Sequence, residues 1–204
     1  MKSMLLGLIL TLTLAGAAAM ATEEPAFKLE FKKGALEVRD YPPVIAAEVS
    51  VTGDRGAAVN AGFRLLAGYI FGGNTKKQSI AMTAPVVQTP RSQTIPMTAP
   101  VIQSGSENAW VVQFIMPAGS TLENLPTPNN AKVQLKPLPA TRIAVARFSG
   151  LAGEAAVRRQ TAALEAFLAA RRLNPIGPPA LSRYDPPWTP WFMRRNEIWI
   201  PVAP

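Results

Sequence analysis

Seven methionines, three tyrosines and twenty-one lysines and arginines are the side chains with which this chain of 204 residues could hold a metal or an anion; it has no histidine and no cysteine. The two zeros exclude Ser-His-Asp and Cys-His catalysis, the ordinary zinc site and the iron–sulfur cluster, each of which needs an imidazole or a thiolate. No S-x-x-K motif and no dense carboxylate cluster stands in for them, so hydrolytic chemistry would need an unobvious Tyr, Lys or Glu mechanism and an enzyme is not expected. The first concentration of chemistry lies between residues 59 and 77. Val59, Phe63, Leu66 and Ile70 recur at three-and-four spacing, one apolar face of a helix over 56–71. Arg64 lies on the same helix, and Lys76 and Lys77 follow its end. Gly72-Gly73-Asn74 supplies residues that accept the positive φ at which helices stop. The glycines follow a helix instead of opening one, and no Gly-Lys-Ser/Thr is present, so this is not a phosphate loop.

The elements that must position these residues are written twice. Leu36–Gly53 (LEVRDYPPVIAAEVSVTG) aligns without a gap on Val133–Gly150 (VQLKPLPATRIAVARFSG), 97 residues later. Pro42 falls on Pro139, Ala47 on Ala144, Gly53 on Gly150 and Arg39 on Lys136. Each copy reads as strand, Pro-containing bend, strand and Gly, and a helix follows each. The second helix spans Glu154–Leu173, with Val157, Leu164, Phe167 and Leu168 inward and Arg158, Arg159, Arg171 and Arg172 left to solvent, stopped by Asn174-Pro175. A duplicated unit of this kind is an α+β fold with packed or closed sheets and one helix outside each half. The halves fall at about 27–125 and 126–204 of a single domain. A shorter repeat, Ile80–Val86 (IAMTAPV) and Ile95–Val101 (IPMTAPV), belongs at strand edges or a rim because its prolines cannot donate to a ladder. Trp110–Met116 and Ile198–Val202 are further strands.

Composition agrees with one folded domain: 48% of residues are hydrophobic and twenty are proline, which favours fixed turns over long helices. Lys2, the apolar stretch Leu5–Leu14 and Ala19-Met20-Ala21 have the form of a cleavable signal peptide over residues 1–21. The domain would then be 22–204, exported to the periplasm, with no integral membrane segment left after cleavage. The net charge of +8 is dispersed in arginine pairs without a nucleic-acid motif, so nucleic acid is not an expected partner. Asp185-Pro186-Pro187 fixes a turn near the end of the chain. Trp188, Trp191 and Phe192 give that turn apolar surface to bury, and Arg194, Arg195 and Glu197 can pair across strands, so the segment reads as a structural lock, with stacking on a flat ligand or a partner surface as the other reading.

The run Gly62–Asn74 (GFRLLAGYIFGGN) followed by Met82-Thr83-Ala84-Pro85-Val86 resembles the SOUL haem-binding protein family. So do the second Met97-Thr98-Ala99-Pro100-Val101, the closing Tyr184–Pro190 (YDPPWTP) and Arg194–Glu197. The resemblance covers about residues 27–202. It implies a distorted β-barrel built from two pseudo-symmetric strand–strand–helix halves, and binding of haem or a related tetrapyrrole as carrier, buffer or scavenger. The implied site is a shallow apolar cleft beside the first helix. A flat apolar disc with two carboxylates asks for an apolar slot and a cationic rim. Phe63, Leu66, Ala67 and Ile70 are expected to form the slot and Arg64, Lys76 and Lys77 the rim. Met82 and Met97 are the soft ligands nearest the region, and Tyr41, Tyr69 and Tyr184 the possible phenolates. Some family members are credited with a His ligand, a mode closed to this chain. A second reading keeps the fold and drops the haem, leaving a general binder of small hydrophobic ligands or a protein-interaction module, its protein partner unknown.

Overall fold

Alternation of side chains along two pairs of strands sets the architecture. The computed structural model describes residues 24–90, 109–185 and 188–204. The strands are β1 (Lys28–Lys33), β2 (Leu36–Tyr41), β3 (Val44–Thr52), β4 (Val86–Pro90), β5 (Ala109–Ile115), β6 (Gln134–Leu138), β7 (Thr141–Ser149), β8 (Ala180–Arg183) and β9 (Arg195–Val202). Helix α1 spans Arg55–Ile70, α2 spans Glu154–Arg171, and a 3-10 turn covers Trp191–Met193. The strands form one antiparallel sheet in the order β1-β2-β7-β9-β8-β4-β5-β3-β6, curled into a half-barrel. Its ends are β1 and β6, so the distorted barrel expected from the sequence is an open one.

The repeated segments form the elements anticipated for them. β2 and β3 flank the Pro42-Pro43 bend, β6 and β7 flank Pro139, and each second strand ends at a glycine with positive φ, +122° at Gly53 and +95° at Gly150. Pairing, however, crosses between the units: β2 lies beside β7, and β3 beside β6. Helix α2 stops at Arg172 in the left-handed region, with the Leu173 amide donating to the Leu168 carbonyl, two residues before the expected Asn-Pro stop.

Both helices cover the same face. Odd and even residues of a strand point to opposite sides, so Ala47 and Val49 of β3 and Val112 and Phe114 of β5 meet Val59, Leu66 and Ile70 of α1. Val38, Ala144, Ala146, Ile198 and Ile200 meet Leu164, Phe167 and Leu168 of α2. Each Leu or Ile so buried contributes about 1.5–3 kcal/mol against the entropy of ordering the chain. The alternate residues Tyr41, Val87, Ile143, Val145, Ala180 and Trp199 form a third cluster on the helix-free face.

Candidate functional site

Helix α1 is capped by Asp54, whose Oδ1 accepts from the amides of Gly56 (3.0 Å) and Ala57 (3.1 Å). It lies unusually close to the sheet at Gly62, where a Cβ would stand 2.8 Å from Cγ2 of Val112. At its far end the chain turns so tightly that a Cβ on Gly73 would meet the Gly68 carbonyl oxygen at 2.5 Å, which leaves glycine as the residue that fits. Buried Asn74 then locks the loop, donating to the carbonyls of Tyr69 (3.0 Å) and Gln78 (2.7 Å) and accepting from the Gln78 amide. The segment 126–130 is tied to this loop: Tyr69 donates its hydroxyl to the Pro126 carbonyl (2.9 Å), Thr75 N donates to Thr127 O, and Asn129 N donates to Gly73 O.

Between the outer side of α1 and this segment runs an open groove of about 590 Å³, lined by Arg64, Leu65, Gly68, Tyr69, Gly73 and Asn129–Ala131. Of the residues expected to form a cleft, Arg64 lines this groove. Lys76 and Lys77 are exposed in the loop beyond Gly73. The apolar members go elsewhere. Leu66 and Ile70 are wholly buried against the sheet (both 0% exposed), and half-buried Phe63 packs edge-on against Phe114 with ring centroids 5.3 Å apart. Met82 is half-buried against the same core, and Ala67 is half-buried on α1. Helical spacing finds the face that packs, and in an amphipathic helix that is the face turned away from a surface groove. Met97 lies outside the described residues. In the first Met-Thr-Ala-Pro-Val segment Thr83 is buried and donates its hydroxyl to the Ile115 carbonyl, and β4 begins only at Val86.

Burial raises the phenol pKa of Tyr69, and Tyr41 and Tyr184 are raised as well, burial again being the largest cause. All three are neutral phenols near pH 7 and make poor phenolate ligands. Among the described residues no group of three His, Cys, Asp or Glu side chains could hold a metal ion. Arg64 gives the groove one cation and Leu65 apolar surface, and its described lining residues include no histidine, cysteine or methionine.

The helix-free face carries a constellation that the sequence reading did not pick out. Arg39, wholly buried, donates Nε to Glu37 (2.7 Å), Nη1 to Glu197 (2.9 Å) and to the Tyr41 hydroxyl (3.1 Å), and Nη2 to Glu197 (3.1 Å). Glu197 accepts further bonds from Tyr184 Oη (2.7 Å), Trp199 Nε1 (2.7 Å) and Arg195 Nη2 (2.8 Å). Phe27 lies over the Arg39 guanidinium at 4.4 Å and Glu24 pairs with Arg195 at 2.9 Å, so residues 24–27 strap the network from outside. Burial pushes the Glu197 carboxyl up, but the bonds and charge of Arg39, with Trp199 and Tyr184 donating, outweigh it and hold it below the usual range. Glu37 is likewise held down against burial, by Lys32 and Arg39. Every oxygen of Glu197 is engaged, so the arrangement is a closed lock with no lone pair left for chemistry. Its sequence signal is alternation: Glu37, Arg39 and Tyr41 share one face of β2, and Arg195, Glu197 and Trp199 one face of β9.

The closing segment departs from its expected role. Trp188, Trp191 and Phe192 are 82%, 60% and 61% exposed. Arg195 does pair with Glu197, but along β9 and not across strands; Glu197 is reached from another strand by Arg39 of β2.

The model of the SOUL heme-binding protein family matches residues 22–201. The chain belongs to the SOUL haem-binding family. Among curated proteins no relative matches it. The C-terminal domain of EcmrR superposes with a TM-score of 0.60 at 13% identity, covering 82% of this SOUL-family chain and 96% of the EcmrR domain. A hydrolase from Listeria innocua superposes with a TM-score of 0.55 at 14% identity, over 85% of this chain and 94% of the hydrolase. EcmrR in a DNA complex gives 0.56 at 14% identity, with 82% of this chain on 57% of that one. At such identities these likenesses establish a shared fold and nothing finer.

Proposed function

We propose that this SOUL-family chain binds haem or a related tetrapyrrole without catalysing a reaction on it, as an exported carrier, buffer or scavenger of the periplasm. The observation that carries the reading is the groove on the outer side of α1, with Arg64 on its wall, in a chain of a family described as haem-binding. Its size falls in the range of small-molecule sites. In this reading Leu65, Ala67 and Gly68 meet the macrocycle, and Arg64, Lys76 and Lys77 take its carboxylates. Leu66, Ile70 and Phe63 serve from below by fixing α1 on the sheet. Bound haem would supply iron chemistry, and a chain without His or Cys would leave that iron weakly ligated. The gapless repeat, and helices that follow both copies, support a descent of the two units from one, with the halves related by a pseudo-two-fold.

Titration of the purified protein with haemin tests the reading. A saturable one-to-one change of the Soret band is expected, weakened by Arg64→Glu with the unfolding temperature unchanged. No saturable change at micromolar haemin would falsify it.

A further inference from the structure

The closing segment presents apolar side chains that none of the described residues covers. Trp188, Trp191, Phe192 and Met193, the last 64% exposed, follow one another through a turn that buries none of its 3-10 residues. Leu151, 63% exposed, joins them from the end of β7, where a Cβ on Gly150 would touch the Trp191 ring at 4.0 Å. The turn is nonetheless well built. Met193 N donates to Pro190 O (2.9 Å), Arg194 Nε to Thr189 O (2.8 Å), Gly150 N to Arg194 O (3.2 Å) and Asn196 Nδ2 to Gly150 O (2.9 Å). Trp191 and Phe192 set edge to face with centroids 5.7 Å apart. A hydrogen-bonded turn of this kind could hide its rings and instead displays them, and an apolar patch of that kind marks an interaction surface.

Cations border the patch. Arg194 closes the turn, and Arg183 at the end of β8 lies close enough to Arg55 and Arg194 for their charges to act on it. Arg183 is exposed, and partial desolvation together with these two cationic neighbours lowers its pKa. Glu154, the carboxylate near Arg55, is paired with Arg158 at 3.3 Å. Asp185 accepts from the Arg195 amide at 2.6 Å, and Glu24 and Glu197 are engaged by Arg195. Arg55, Arg183 and Arg194 thus supply the cations of the edge facing the aromatic turn.

Shape decides the occupant. A small ligand needs a concavity that covers most of its surface, whereas these rings project. Tryptophan, phenylalanine and methionine projecting from a surface, with arginines beside them, is the composition that settles at the boundary between headgroups and acyl chains. We infer that this turn docks the protein on an anionic phospholipid bilayer, with Trp188, Trp191, Phe192, Met193 and Leu151 entering the interface and Arg55, Arg183 and Arg194 facing headgroup phosphates.

The test is co-sedimentation of the full chain with phosphatidylglycerol-containing vesicles and with phosphatidylcholine vesicles, each variant compared in the same full-length background. Retention on the anionic vesicles is expected to fall about ten-fold in the double variant Trp191→Ser, Phe192→Ser and in Arg183→Glu, because interfacial burial and headgroup charge both contribute. Arg159→Glu and Lys33→Glu, exposed elsewhere, carry the same change of charge and should retain binding. Brominated acyl chains should quench tryptophan emission of the parent and much less that of the double variant. Equal retention of parent and double variant would overturn the proposal. So would lipid-independent self-association that the double variant abolishes, since the patch would then belong to a second copy, and so would salt-resistant binding of Arg183→Glu. A melting temperature within the parent's range certifies that each variant is folded.

Discussion

β2 and β6 occupy corresponding places in the repeated sequence, yet one carries a buried ion network and the other an ordinary surface pair. Arg39 of β2 is wholly buried between Glu37 and Glu197. Lys136, its counterpart in β6, is 45% exposed at the side chain and pairs with Glu48, which also accepts from Gln113 at 2.8 Å. The difference lies in what covers each strand. β2 has β1 along its outer side and residues 24–27 across its face, whereas β6 ends the sheet with no described strand beyond it. The same template thus gives a lock or a solvated pair according to how far its charges are removed from water. Arginine suits the first place because its fork serves Glu37, Glu197 and Tyr41 at once, and a point-charge lysine suffices in the second.

Arg39→Met breaks this comparison most severely. It leaves Glu197 and Glu37 short of their buried cation and should cost about 3–5 kcal/mol in chemical denaturation. Lys136→Met should cost about 0–1 kcal/mol. Equal losses would mean that coverage is not what separates the two sites.

The close helix contact gives the next effect. Gly62→Ala drives a methyl into Val112 and is expected to cost about 1–3 kcal/mol. The corresponding position on α2 is Arg159, exposed to solvent, where Arg159→Ala should stay within about 0.5 kcal/mol. Differential scanning calorimetry of the pair sharpens the contrast between a helix pressed on the sheet and one that is not.

Acid weakens the network. Glu37 and Glu197 have folded pKa values below the unfolded ones, so their contribution is complete above an unfolded pKa of about 4.3 and is lost as pH falls through the folded values. The parent should therefore melt at a steady temperature from about pH 7 to pH 5 and lower below about pH 4. In Arg39→Met the foremost of the opposing causes is gone while Arg195, Tyr184 and Trp199 still hold the carboxylate, so the Glu197 pKa rises and the loss of stability in acid should shrink. An acid-dependent fall in melting temperature as large in the variant as in the parent would contradict the assignment. The smallest effect is at the helix starts: Asp54→Ala should lose about 1 kcal/mol, whereas α2 begins at Gly153 without a side-chain cap to lose.

Much of the fold was readable because its signals are local. The first helix was expected over 56–71 from a three-and-four pattern and spans Arg55–Ile70, and the strand, bend and strand read in Val133–Gly150 are β6, Pro139 and β7. β1 escaped because five of its six residues are exposed and its alternation is carried by two apolar residues alone, Leu29 and Phe31. β8 is four residues long beside a Gly- and Pro-rich stretch. The ion network joins Arg39 to a carboxylate 158 residues away, a distance at which strand alternation names the face but not the partner. The aromatic turn was misassigned because an apolar turn that buries its rings and one that displays them have the same composition. The groove on α1 eluded periodicity for the opposite reason, since its wall is the side of the helix that carries no pattern.

The open ends of the sheet have a consequence of their own. A nine-stranded antiparallel sheet with two free margins offers each molecule a template onto which another could add strand after strand. β6 carries Pro137, which has no amide hydrogen to offer an incoming chain. β1 carries Lys28, Lys32 and Lys33 and an irregular register between Leu29 and Phe31. Like charges and a broken ladder turn a second copy away at one margin, and a missing donor does so at the other. Among the described residues, both margins of the half-barrel thus carry features that disfavour the addition of a further strand.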